Sequence, residues 1–242
     1  MTARNFVAFD FGAESGRALL GTLAEGKLSL DEKHRFANPN GRITGHLHWN
    51  LLAQWEELKT GLRKSAGDGT VKLHGIGVDT WGVDFGLIGQ DGCVLGNPFH
   101  YRDSRTDGVM ERVFSIVPKP ELFAATGIQF MQFNSLFQLY AMQAQQPQVL
   151  AAAKHLLFMP DLFNYLFTGI AKAEFSIAST SQMLDPATRD WNRALLTRLK
   201  LPTHLLPPII PAGTVLGPLS PEVQKECGVG AIPVIAPAGH DT

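Results

Sequence analysis

The chain has 242 residues, 21 Lys and Arg against 22 Asp and Glu, and 45% hydrophobic residues. That is ample apolar material for a core, and a charged fraction of 18% excludes a disordered or coiled-coil chain. A formal net charge of -1 removes the bulk attraction that nucleic acid or an anionic membrane would require.

The apolar run Phe6-Val7-Ala8-Phe9 ends at Asp10 and predicts a buried strand. Gly12 and Gly16 frame a turn, a second strand restarts at Arg17-Ala18-Leu19-Leu20, and Ala24-Glu25-Gly26-Lys27 turns into Leu28-Ser29-Leu30. The chain therefore opens with a three-stranded antiparallel meander. Asn50 is placed to cap a helix whose apolar face is Leu51, Leu52, Trp55, Leu58 and Leu62, closed by Gly67 and Gly69. Strands follow from His74 to Asp79 and from Val83 to Ile88, read as a pair, with a turn at Gln90-Asp91-Gly92. Helices are expected from about Asp107 to Val117 and from Asn134 to Gln145, the second stopped by Pro147. A strand from His155 to Met159 leads into a helix from Pro160-Asp161 through Phe167, with Gly169 at its C-terminal cap.

Another helix is expected from Asp190 to Leu199. The proline-rich stretch from Leu201 to Leu219 reads as an extended surface crossing rather than a linker. A short helix from Glu222 to Cys227, closed by Gly228, and a last buried strand from Ile232 to Ala236 complete the order. A meander, a helix, and then strands alternating with helices indicate an α/β layer fold, and the order suits a ribonuclease H-like mixed sheet flanked by helices. Cys93 and Cys227 are far apart and lack metal-ligand spacing, so two reduced thiols are expected. Met1 to Phe6 has no signal-peptide core and no apolar run approaches ~18 residues, which leads us to expect a soluble cytoplasmic protein.

Three segments can carry chemistry. In the first, a buried strand delivers Asp10 to the turn Gly12-Ala13-Glu14-Ser15-Gly16-Arg17, where backbone N–H groups can approach an anion and Asp10 can hold Mg²⁺. An ordinary hairpin with an acid at the turn is the competing reading. No Gly-Lys-Ser/Thr follows, so this is not a Walker loop, and Asp-Phe-Gly at Asp10 and Asp84 lacks the context of a protein kinase. In the second, Asp79-Thr80-Trp81-Gly82-Val83-Asp84 places two carboxylates and an indole around a glycine. It either lines a sugar site or forms a strand corner with Gly82 as a bulge and Trp81 in the core. In the third, Gly239-His240-Asp241-Thr242 follows a buried strand, where a carboxylate is placed for general-base work or simply ends a polar loop. Tyr101-Arg102-Asp103-Ser104-Arg105-Thr106 is expected to be an ion-pair network that steadies a loop below the site. The histidines outside the third segment are expected to be structural.

Taken together and in order, these segments resemble the FGGY family of carbohydrate kinases. The matching residues are 9–17, 77–85, 101–106, Gly127-Ile128-Gln129-Phe130, Met159-Pro160-Asp161 and 239–242. The resemblance implies an actin-like domain and transfer of the γ-phosphoryl group of ATP to a sugar hydroxyl. Asp241 would be the general base, Gly82, His240, Asp241 and Thr242 would contact the sugar, and Ala13, Glu14, Ser15, Gly16 and Arg17 would contact ATP phosphates, with Asp10 near Mg²⁺. The Arg-Glu pair of glycerol kinases and the Met-His-Gly of xylulokinases are both absent at Gly82. The loop Asp79-Thr80-Trp81-Gly82 instead resembles members that phosphorylate L-rhamnulose to L-rhamnulose 1-phosphate in rhamnose catabolism. Family members are much longer, so the resemblance implies that residues 1–242 are the N-terminal, sugar-binding domain, that a second actin-like domain is a missing partner, and that this chain alone is inactive. A kinase of another ketose or polyol, a non-catalytic sugar-binding module and an actin-like or chaperone-type ATPase domain are the other readings.

Overall fold

Alternation decides the first sheet. In β1 (Arg4–Phe11) Val7, Phe9 and Phe11 are buried, while Asp10 lies on the opposite face. β2 (Ser15–Ala24) and β3 (Lys27–Ala37) continue antiparallel, joined at Glu25-Gly26, both with positive φ as a two-residue hairpin turn requires. The expected meander is thus present, with longer strands. A second hairpin, β4 (Asn40–Ile43) and β5 (His46–Trp49), turns at Thr44-Gly45 with φ of 51° and 89°. Its first strand is wholly exposed, so no apolar alternation announced it.

The structure, a computed structural model, describes residues 3–67 and 69–240. Helix α1 (Leu51–Ala66) begins where the Asn50 side chain accepts the Ala53 N–H and ends at Gly67 in the left-handed region. β6 (Leu73–Thr80) then returns parallel to β1. β7 (Phe85–Gly89) does not pair with β6 as expected. It pairs antiparallel with β8 (Ala153–Phe158) in a second sheet, because residues 81–84 turn the chain away. Between those strands lie a 3₁₀ turn (Ser104–Thr106), α2 (Val109–Phe114), α3 (Lys119–Thr126), α4 (Ser135–Gln145) and α5 (Pro147–Ala152). The helix expected from Asp107 is shortened because Gly108, at φ 68°, sets its start. Pro147 opens a further helix, since a missing N–H costs nothing in a first turn.

α6 (Met159–Thr168) ends at Gly169, as expected. β9 (Ala173–Glu174) and α7 (Phe175–Ser179) precede a small hairpin, β10 (Leu184–Asp185) and β11 (Asp190–Trp191). The helix expected from Asp190 therefore starts later, as α8 (Arg193–Arg198), where the Asn192 side chain accepts the Leu195 N–H. The proline-rich stretch is more than a surface crossing. Leu201, Leu205, Leu206 and Leu219 are buried, β12 (Ile209–Ile210) pairs with β9, and β13 (Thr214–Pro218) is an edge strand. Edge strands tolerate the prolines that a central strand would not. α9 (Pro221–Cys227), capped by Ser220 and Gly228, and β14 (Pro233–Ala236) follow.

Among the described residues the main sheet runs β13-β14-β6-β1-β2-β3, with β14, β6 and β1 parallel. This is the mixed sheet expected from the element order. One apolar core lies between it and α1, α6 and α9, built on Phe9, Phe11, Leu58, Leu62, Phe163 and Phe167. A second core fills the space among α2 to α5, α7, α8 and the β7–β8 pair, around Phe85, Leu122, Phe137, Phe158 and Trp191. Among the described residues, no helix is long and apolar enough to cross a membrane.

Candidate active site

Three parallel strands end together, so the segments after Phe11, Thr80 and Ala236 gather at one end of the sheet. In open sheets of this kind that carboxyl end is where ligands bind. The three candidate segments read from the sequence are these three.

The first segment is held from behind. Asn38, at the end of β3, donates its side-chain N–H to the Gly12 carbonyl at 2.8 Å and its backbone N–H to the Glu14 carbonyl at 2.9 Å. Gln54 on α1 donates to Asn38 Oδ1 at 2.7 Å. Glu14 and Ser15 are exposed and Ala13 is half-buried, so the turn offers its edge to solvent. Gly16 is required by packing rather than by its φ, since a Cβ there would lie 2.4 Å from the Phe36 ring. Arg17 points at Asp10, with its Nε and Nη2 at 2.8 and 2.7 Å from Oδ2. Both side chains are about two-fifths exposed, a setting in which an ion pair contributes at most ~1 kcal/mol and yields readily to a stronger anion.

Asp10 and Asp79 are direct neighbours on β1 and β6. Among the described residues no cluster of three or more His, Cys, Asp or Glu could cage a metal ion. A pair of neighbouring carboxylates fits Mg²⁺ in its usual enzymatic form, held by one or two carboxylates, water and substrate phosphates.

The second segment is a corner. Asp84 N–H donates to the Gly82 carbonyl at 2.9 Å across Val83, whose φ is 67°. This is a γ-turn of the strained hand, and a β-branched residue occupies it. The Val83 carbonyl accepts Ser135 Oγ at 2.6 Å and Gln138 Nε2 at 3.3 Å, and Asp84 is anchored below. Asp84 is fully buried. Its Oδ2 accepts Trp49 Nε1 (2.7 Å), Trp81 Nε1 (3.0 Å) and the Tyr101 N–H (3.1 Å), and its Oδ1 accepts Gln138 Nε2 (2.8 Å). Burial pushes this carboxyl up to about 6, against the pull of the indole and amide donors. Trp81 is buried against Trp49, with ring centroids 4.2 Å apart. Trp81 and Asp84 are therefore core groups that shape the corner rather than line a sugar. Gly82 is no bulge; it is the part of the corner that stays half-exposed.

The third segment is described through His240; Asp241 and Thr242 lie outside the described residues. Gly239 extends the sheet by one step, its carbonyl accepting the Thr80 N–H at 3.2 Å. His240 Nδ1 lies 3.0 Å from the Thr80 carbonyl. A Cβ on Gly82 would stand 3.0 Å from His240 Nε2, so the fold brings Gly82 and His240 into contact. Two of the predicted sugar contacts, 158 positions apart in the chain, thus meet. Asp10 and Arg17 also meet, while the turn at 13–15 shares only the same end of the sheet.

The charged cluster at 101–106 is mostly a hydrogen-bond network. Buried Asp103 accepts the Leu47 and Arg105 N–H groups and pairs with His46. Buried Arg105 donates to Gln138 and lies over the Phe99 ring, and burial lowers its guanidinium to about 10. His100, stacked on Trp49, is pushed down to about 4 by burial and is neutral at pH 7. Sequence reasoning missed Asn38 and Glu174 as supports of the site. Each acts on a residue far away in the chain, and no local spacing signals such a contact.

The chain matches the model of the FGGY family of carbohydrate kinases, N-terminal domain, over residues 5–242. It is 44% identical over 239 residues to a rhamnulokinase of Bacteroides thetaiotaomicron, covering 99% of this chain and 49% of that protein. It is 39% identical over 236 residues to a rhamnulokinase of Oceanobacillus iheyensis, covering 98% and 50%. The chain thus spans about half the length of the curated relatives it matches. In fold it is similar to a xylulose kinase of Rhodospirillum rubrum (TM-score 0.86, 21% identity, 98% of this chain and 50% of that one). It is equally similar to a gluconate kinase of Lactobacillus acidophilus (TM-score 0.86, 16% identity, 97% and 47%). A mixed sheet whose parallel strands deliver all three motifs to one end, and a family match over nearly every residue, make this chain a member of the FGGY family of carbohydrate kinases.

Proposed function

We propose that this chain is the sugar-binding, base-carrying half of a cytoplasmic ATP-dependent kinase that converts L-rhamnulose to L-rhamnulose 1-phosphate. The observation that carries the reading is the contact of Gly82 with His240, which joins the two segments expected to hold the sugar, in a chain 44% identical to a rhamnulokinase. In this reading Gly82, His240 and Thr242 hold the sugar and Asp241 faces its reacting hydroxyl. The hydroxyl oxygen forms a bond to the γ-phosphorus, the bond from that phosphorus to the ADP oxygen breaks, and the hydroxyl proton passes to Asp241. The turn at Ala13-Glu14-Ser15-Gly16 offers backbone N–H groups to the phosphates, and Arg17 leaves Asp10 to meet their charge. Asp10, with Asp79 beside it, would hold Mg²⁺, which neutralises charge on the phosphates when bound. The partner is a second, nucleotide-holding half, in keeping with the half-length match.

The test is Asp241→Asn in a protein carrying both halves. Asparagine keeps the shape but cannot take the proton, and general-base contributions are about 10²–10⁴-fold. Turnover should fall by that factor, while L-rhamnulose affinity changes far less. Turnover near wild type would remove Asp241 as the base, and a joint collapse of affinity and turnover would make its role positioning.

A further inference from the structure

Glu174 is buried, and the sugar chemistry proposed above does not use it. It stands at the end of β9, far in sequence from the segment after β14, yet its Oε2 accepts the Gly239 N–H at 3.0 Å. The same carboxylate caps α7, accepting the Ser176 N–H (2.9 Å) on Oε1 and Ser176 Oγ (2.5 Å) and the Ile177 N–H (3.3 Å) on Oε2. Gly239 is therefore gripped on two sides, its N–H by Glu174 and its carbonyl by the Thr80 N–H at 3.2 Å.

Glu174 is itself fixed from behind. Its backbone N–H donates to Oδ1 of Asp161, a fully buried residue in the first turn of α6. The neighbouring Pro160 packs against Gly239 so closely that a Cβ on Gly239 would lie 3.0 Å from its Cγ. The Pro160-Asp161 pair thus packs on the glycine with one residue and steadies the gripping carboxylate with the other. Burial and the nearby Glu174 charge push the Asp161 carboxyl well above its ordinary range.

We infer that Glu174 is a positioning residue: its carboxylate latches the Gly239 peptide and so fixes the chain immediately before Asp241. The catalytic consequence rests on the reading of Asp241 as the base; the latch itself does not. A displacement of about 1 Å at a reacting group costs on the order of 10²-fold in rate, so a latch one residue from His240 and two from Asp241 is well placed to matter.

Two variants test it. Glu174→Gln keeps the length but turns one of the two accepting oxygens into an N–H donor. Glu174→Asp keeps the charge at the start of α7, so the fold persists, but draws the oxygens one methylene back from Gly239. Hydrogen exchange on this chain should be about 10-fold or more faster at the Gly239 amide in both variants, with α4 and β1 exchanging at the wild-type rate. In a protein carrying both halves, kcat for L-rhamnulose should fall about 10–100-fold in both, by more than KM rises. Exchange at the wild-type rate in a folded variant would overturn the latch. Acceleration spread evenly over the chain would reduce Glu174 to a general stabiliser and overturn it as well. Local acceleration with unchanged kcat would overturn the positioning role. A wild-type protein that binds no L-rhamnulose would instead count against the proposed substrate and leave the exchange result standing.

Discussion

Asp84 shows how a single side chain organises the corner next to the proposed sugar site. Four N–H donors converge on its two oxygens, and its carboxyl is pushed up to about 6 from an ordinary value of 3.8. Its burial penalises the charged form, so the folded state binds the proton more tightly than the unfolded state. The linkage sign follows: this group's contribution to stability is largest below about pH 4, is lost as pH rises towards 6, and is flat above. The full swing is about 3 kcal/mol at most. Asparagine cannot titrate and offers one accepting oxygen instead of two, so Asp84→Asn should cost about 1–3 kcal/mol in acid. The stability gap between wild type and Asp84→Asn should then narrow as pH rises from 4 to 7, read from urea denaturation of both proteins at each pH. A gap independent of pH would mean that Asp84 titrates near its ordinary value.

At the scale of elements, the approach of α1 to the sheet sets the height of the first core. It comes close at Gly61, where a Cβ would lie 2.7 Å from the Ala18 Cβ and 2.9 Å from the Phe9 ring. Ala18 and Phe9 belong to the strands that carry Arg17 and Asp10, so this contact lies directly behind the first segment of the site. Gly61→Ala should gain up to ~1 kcal/mol of helix propensity and lose about 1–3 kcal/mol to overpacking. The net effect should be destabilisation, seen as a lowered denaturation midpoint with an unchanged slope. A variant as stable as wild type would show that α1 can lift from the sheet at little cost.

For the molecule as a whole, the half-length match has a direct functional consequence. Phosphoryl transfer is almost entirely positioning and charge stabilisation around the transferred group, and in the function proposed above the half that holds the nucleotide lies outside these 242 residues. This chain alone should show no appreciable ATP-dependent phosphorylation of L-rhamnulose in a coupled assay, and addition of the second half should restore it. Full turnover by these 242 residues alone would refute the division of labour.

The sequence by itself determined whatever depends on near neighbours. The meander is legible in its apolar runs and the turns between them, α1 in the Asn50 cap and its apolar stripe, and the ends of α6 and α9 in Gly169 and Gly228. The three site segments are legible as well, because each is a short motif at the end of an apolar strand. What only the tertiary structure decided is which distant residues meet. β7 crosses to β8 because the strained turn at Val83, held by Ser135 and Asp84, redirects the chain. Trp81 and Asp84 are core groups because Trp49 and Gln138 close over them, and neither partner is near in sequence. Asn38 and Glu174 grip the first and third segments through side-chain hydrogen bonds across 26 and 65 positions. A residue's composition and local spacing report its propensity and its face, but a hydrogen bond needs a donor and acceptor within about 3 Å, and only the packed chain supplies that distance.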